Sequence, residues 1–160
     1  MSDLLPHPTS SPYAVILLAH GSRDSAWAQP IEQLATQTMH TMHTMHTMHT
    51  MQHMKNMKNM GQLPDADAKQ ETAIVLRCAY LEWTKPLLED VADELASTGI
   101  PIMKVLPLFW GYGYHLGQEI PLRLAQLQAR YPAIEWHVLP TPGGFERMPQ
   151  WLVEIINSKL

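Results

Sequence analysis

Apolar residues fall into four short, nearly unbroken runs separated by longer amphipathic stretches. The first, Tyr13-Ala14-Val15-Ile16-Leu17-Leu18-Ala19, stops at His20-Gly21-Ser22. A continuous run of this length predicts a strand buried on both faces, as in a parallel sheet. Residues 24–37 follow with Trp27, Ile31, Leu34 and Ala35 at helical spacing. The second run, 72–81, is β-branched and apolar and ends at Glu82-Trp83. Residues 85–98 read as a helix. Leu87, Leu88, Val91 and Leu95 form its stripe, Pro86 is tolerated in its first turn, and Gly99 is its stop. The third run, 102–109, opens into Gly111-Tyr112-Gly113-Tyr114-His115-Leu116-Gly117. Residues 118–130 are helical by pattern through Ile120, Leu122, Leu124 and Leu127, with Pro121 near the start. The fourth run, 134–139, leads to Pro140-Thr141-Pro142-Gly143-Gly144, and a last helix covers roughly 146–158. The order β-α-β-α-β-α-β-α predicts an α/β fold: a four-stranded parallel sheet with helices on both faces. Residues 1–12, with three prolines, read as a loose tail ahead of a single domain over 13–160.

That domain is interrupted at 38–61, where Met recurs at every third position from Met39 to Met60. The triplet Thr-Met-His is repeated from Thr38 to His49 and then decays. A helix turns about 100° per residue, so a three-residue stripe slips about 60° per step and winds around the axis. Such a stripe makes no fixed apolar face, so the segment is not an ordinary core helix along its whole length. One reading is a variable insertion between the first helix and the second strand. The other is an accessory metal tract. His40, His43, His46, His49 and His53 stand three or four residues apart, and the interleaved Met thioethers add soft ligands suited to Cu(I).

Composition narrows the function classes. The chain has 160 residues, 46% hydrophobic, which suits one domain with a real core. Eleven basic against 15 acidic residues give a net charge of −4, which argues against a general nucleic-acid or anionic-membrane binder. One cysteine, Cys78, excludes an intrachain disulfide and a cysteine-built metal cluster. No apolar run approaches the roughly 18 residues of a membrane span, and no basic leader precedes the first run. The expectation is a cytoplasmic protein.

In an open parallel sheet, ligands bind beyond the carboxyl ends of the strands. Past the first strand stands His20, past the second Glu82, and past the third His115, on a glycine-rich loop. Two imidazoles and a carboxylate on one edge can bind a divalent metal or move protons. Tyr112, Tyr114, Trp83 and Trp110 can stack on a flat ligand, and Arg23 and Arg123, near helix starts, can hold carboxylates. Each also has a plainer role: a turn or capping histidine, a solvated glutamate, tyrosines at a dimer surface. No nucleophile elbow, P-loop or dinucleotide glycine spacing is present.

Four blocks, in order, resemble the sirohydrochlorin chelatases, the small, single-domain class II cobalto- and ferrochelatases. They are Leu17-Leu18-Ala19-His20-Gly21-Ser22-Arg23-Asp24, Tyr80-Leu81-Glu82 with Pro86, Val105-Leu106-Pro107-Leu108-Phe109, and Gly113-Tyr114-His115-Leu116-Gly117-Gln118-Glu119-Ile120-Pro121. Two departures stand out: Tyr80 in place of Phe, and Glu119 in place of Asp. The resemblance implies one half-size α/β unit of a chelatase, working as a homodimer. It implies insertion of Co²⁺, Fe²⁺ or Ni²⁺, as substrate and without an organic cofactor, into a sirohydrochlorin-type tetrapyrrole on the way to sirohaem or cobalamin. His20 and His115, with Glu82 beside them, are then the metal-handling and proton-accepting residues, and Ser22, Arg23, Tyr112 and Gly113 contact the tetrapyrrole. The alternative is a non-catalytic metal or tetrapyrrole carrier that uses the Met/His tract.

Overall fold

The computed structural model describes residues 11–59, 74–111 and 113–158. Strands β1 (Tyr13–Ala19), β2 (Ile74–Tyr80), β3 (Ile102–Pro107) and β4 (Glu135–Val138) alternate with helices α1 (Gln29–Asn59), α2 (Leu88–Ala96), α3 (Ile120–Arg130) and α4 (Met148–Asn157). The sheet order is β2-β1-β3-β4 and every pair is parallel. β1 is central, and six of its seven residues are buried, as a strand covered on both faces must be.

The two faces of β1 belong to different cores. Ala14, Ile16 and Leu18 pack with Leu88, Val91 and Leu95 of α2 and Ile120, Leu124 and Leu127 of α3. Val15 and Leu17 pack with Leu76 and with Ala35, Met39 and Met42 of α1. Each fully buried aliphatic side chain contributes about 1.5–3 kcal/mol, so these two layers dominate the stability. Leu34 and Leu122, expected on apolar stripes, are instead 46% and 63% exposed. Their helices turn a single narrow stripe to the sheet, and these positions lie off it.

The triplet repeat is helical. α1 runs unbroken for 31 residues to Asn59, about 46 Å, against about 23 Å for a seven-residue strand. It therefore outruns the sheet. Met39 and Met42 pack on the core, whereas Met45, Met48, Met51 and Met54 are 46–66% exposed. The slip of the three-residue stripe produces this: the Met row leaves the sheet face within two steps. Thr41, Thr44, Thr47 and Thr50 donate their hydroxyls to the carbonyls four residues back, which satisfies them on an exposed helix. Residues 1–10 of the expected tail, and 60 and 61 of the repeat, lie outside the described residues.

α2 starts at Leu88, after the expected position, because the Asp90 carboxylate accepts the Leu87 N–H at 2.8 Å and fixes the helix entry there. Gly99, at φ 77°, closes it. α4 forms where expected but buries none of its residues.

Tyr80 is fully buried beside Ala19 and Ala28. Its hydroxyl finds no hydrogen-bond partner among the described residues. Burial above all, then Cys78 and the Glu32 charge, push its pKa up to about 12. The hydroxyl is thus a desolvated, neutral burden. Tyr80→Phe is expected to leave stability unchanged or raise it by about 1 kcal/mol, read as the urea midpoint at constant slope.

Candidate active site

The loops leaving β1 and β2 interlock at the carboxyl edge. Leu81 N–H donates to Ala19 C=O and Glu82 N–H to His20 C=O, both at 3.0 Å, so the pairing continues past the strand ends. Thr84 Oγ1 accepts from Ser22 N–H and donates to Ser22 C=O, each at 3.0 Å. Gly21, at φ 96°, sits so close beneath this turn that an added Cβ would lie 1.8 Å from the Glu82 carbonyl oxygen. No other residue fits there. Thr84 N–H closes a tight turn onto Glu82 C=O at 2.7 Å, with Trp83 held at φ 63°. A left-handed tryptophan is strained by roughly 1 kcal/mol, a cost the surrounding loop contacts must offset. Together these contacts bring His20 Nε2 to 3.3 Å from Glu82 Oε1.

His115 arrives from the other side of β1. It does not lie on a loop, as the glycines suggested, but opens a π-helical turn, His115–Glu119, that runs into α3. Glycines 111 and 113 precede the turn; the backbone from Tyr114 onward is already helical. The His115 ring meets the His20 ring edge to face, centroids 4.8 Å apart, and Phe109 stacks on the His115 ring at 5.9 Å. His115 Nδ1 contacts Glu119 Oε2 at 2.6 Å. Each imidazole therefore has its own carboxylate, and both rings stay more than a third exposed.

Glu119 is held in turn by Arg123, at 3.3 Å. Arg123 makes a two-pronged pair with Glu89, 2.6 Å at each prong, and donates to the Leu81 carbonyl at 2.9 Å. Burial acts to raise the Glu89 carboxyl, but the Arg123 hydrogen bonds, a backbone bond and the Arg123 charge outweigh it and hold it below its ordinary 4.5. Arg123 is raised, chiefly by the Glu89 bond. A carboxylate depressed in the folded state stabilises fully above its unfolded pKa, and that stability is lost as pH falls through the folded value. Glu89→Gln is expected to destabilise the protein by about 1 kcal/mol at pH 7, the partial exposure of the pair keeping the figure small. Denaturant titrations should show that gap closing as pH falls below 4.5.

Of the residues singled out from the sequence, His20, Glu82 and His115 share this edge. Arg23 lies beside it, its guanidinium 3.9 Å over the Trp83 ring. Ser22 is tied to Thr84, and Gly113 accepts the Gly117 N–H at 2.9 Å. Arg123 is not free to hold a ligand carboxylate, because Glu89 and Glu119 occupy it. Glu119 and Glu89 were not anticipated as site residues. The four-residue spacings His115–Glu119–Arg123 carried a signal for the first, and nothing local pointed to Glu89. Trp110 belongs to the edge through its backbone: a Cβ on Gly143 would lie 2.0 Å from its carbonyl oxygen. His40, His43, His46 and His49 ride on α1, away from this edge. Tyr112 and the side chain of His53 lie outside the described residues. Among those residues, no three His, Cys, Asp or Glu side chains gather closely enough to hold a metal ion.

The parallel α/β fold is shared by solved structures. A CbiX protein from Marinobacter aquaeolei VT8 superposes with a TM-score of 0.62 at 23% identity, over 91% of this chain and 94% of that one. SirB from Bacillus subtilis, solved with Fe³⁺, superposes with a TM-score of 0.59 at 17% identity, over 92% of this chain but 48% of its own. The CbiX family model matches residues 48–159, more than half of the chain, and the chain belongs to that family, the sirohydrochlorin chelatases. The match begins inside the repeat and leaves out β1 and His20. A sirohydrochlorin cobaltochelatase from Methanosarcina acetivorans is 30% identical over 60 residues, 38% of this chain and 46% of that protein. One from Sulfurisphaera tokodaii is 26% identical over 81 residues, 51% of this chain and 64% of that protein. The matches thus span about half to two thirds of these relatives. Among the described residues, no helix is long and apolar enough to cross a membrane.

Proposed function

We propose that this protein inserts a divalent metal, cobalt or iron, into sirohydrochlorin, as a lyase of cobalamin or sirohaem biosynthesis in the cytoplasm. The observation that carries this reading is the His20–His115 pair, 4.8 Å apart at the carboxyl edge, each ring with its own carboxylate. Insertion takes a hydrated M²⁺ and a free tetrapyrrole to a metallated ring, releasing two pyrrole protons. Neutral imidazoles accept such protons near pH 7, and as borderline ligands they also bind Co²⁺, Fe²⁺ or Ni²⁺. Glu82 stabilises the imidazolium formed at His20, and Glu119, itself pinned by Arg123, does so at His115. A metal on His115 would use Nε2, opposite the Nδ1 that faces Glu119, and one on His20 would displace Glu82 or the Gly21 carbonyl from that ring. Arg23 over Trp83 offers a cation and a flat wall to the carboxylate-rich macrocycle, with Ser22, Gly113 and Tyr112 nearby in the chain. No organic cofactor is required for this chemistry.

The test mixes protein with sirohydrochlorin and Co²⁺, Fe²⁺ or Ni²⁺ in turn, without oxygen, and follows the absorption spectrum. Insertion faster than the uncatalysed rate is the expected result and ranks the metals. Tight binding with no insertion overturns it in favour of a carrier.

The working unit is a homodimer built on one domain over 13–160 that carries the 38–61 insertion. Its support is α4, whose Trp151, Leu152, Val153, Ile155 and Ile156 are 40–77% exposed. So much contiguous apolar surface marks an interface. Ile156→Glu is expected to shift the protein from dimer to monomer in sedimentation equilibrium.

A further inference from the structure

The repeat on α1 remains outside the chemistry above, and its helical geometry sorts its side chains. Residues three and four apart are neighbours on a helix. Each triplet therefore builds the same facet: a Met, the His that follows it, and the next His, four residues after the Met. The facets Met39/His40/His43, Met42/His43/His46 and Met45/His46/His49 differ only in where the helix turns them. Met45 and Met48 are 55% and 66% exposed, whereas Met42, like Met39, still packs on the sheet. The first facet lies against the sheet. Ala35, Thr36, Met39, His40, His43 and Leu76 line a groove of about 360 Å³ between α1 and β2. Met39 is also packed on the Val15–Leu17–Leu76 core, which fixes its thioether.

We infer that Met39, His40 and His43 form a binding site for a soft monovalent d¹⁰ cation, Cu(I), at the mouth of this groove. A thioether and two imidazoles are a soft, nitrogen–sulfur donor set, and Cu(I) is satisfied by two or three such ligands. The thioether favours such a soft ion over the harder divalent metals. Leu76 and Ala35 give the groove an apolar wall, His40 and His43 stand exposed at its mouth, and the packed Met39 reduces the entropy lost on binding. Leu76 pairs with Val15, five residues before His20 on β1. The site thus lies about 16 Å from the His20 edge and is independent of the activity proposed above.

The test titrates the full chain with Cu(I), anaerobically and against a chromophoric Cu(I) chelator. One equivalent is expected to bind ahead of the rest. Met39→Leu, which conserves volume, and the pair His40→Gln with His43→Gln are each expected to weaken that equivalent at least tenfold. His46→Gln with His49→Gln is expected to leave it within about twofold. X-ray absorption of the one-equivalent protein is expected to show one sulfur with nitrogen around copper. Equal weakening by the proximal and distal variants, no effect of Met39→Leu, or a nitrogen-only shell would each overturn the site, the last without need of any variant.

Discussion

His20→Ala is expected to slow metal insertion by about 10²–10⁴, the range for removing a positioned proton acceptor. His115→Ala should cost a similar factor, and on the proposed reading, in which both rings serve one macrocycle, the double variant should cost little more than either single one. The reason is geometric. The two rings meet edge to face, so a metal and a pyrrole proton presented to one are within reach of the other. The fold should survive, since both side chains are more than a third exposed and neither fills the core. The checks are the initial rate of insertion with Co²⁺ and sirohydrochlorin, and the binding constant for the tetrapyrrole alone. Loss of rate with binding retained identifies the histidines as acting on the reaction itself. A His20→Ala protein with the unmodified rate would remove His20 from the mechanism.

Gly21→Ala is expected to lower Tm by about 10 °C and to reduce insertion at least as much as His20→Ala does. Two costs add. An alanine at φ 96° is strained by about 1 kcal/mol or more, and its Cβ would lie 1.8 Å from the Glu82 carbonyl oxygen, so the loop must move. Together they come to about 3 kcal/mol, and each kcal/mol shifts Tm by about 2–4 °C in a domain of this size. The movement falls on the segment that sets the His20–Glu82 distance. Gly99→Ala is the control: its φ is also positive, at 77°, but open space surrounds the site of its Cβ. It should cost about 1 kcal/mol and leave the rate unchanged. Calorimetry and the insertion assay on both variants separate backbone strain from the close approach.

The alternation of strand and helix, the buried character of β1, the places of His20 and Glu82 just past strand ends and the presence of His115 at the same edge were legible in the sequence, though not the helical turn that carries His115. These follow from local periodicity, and a parallel sheet sends every strand's carboxyl end to one edge. Tertiary structure decided what each of these groups meets. Glu82 reaches His20 because Gly21 lets two loops touch, and the apolar pattern of neither strand records that. Arg123 is taken by Glu89 from α2, 34 residues away, so a guanidinium that looked free for a ligand instead anchors Glu119. Even the triplet repeat divides this way. Its three-residue period forbids a fixed apolar face, which the sequence alone determines. That the helix nonetheless continues, and that one facet of it lies against β2, depends on where the sheet ends. Periodicity reports a segment's own geometry; only the packed fold brings distant segments together and settles which polar groups are paired and which stay open.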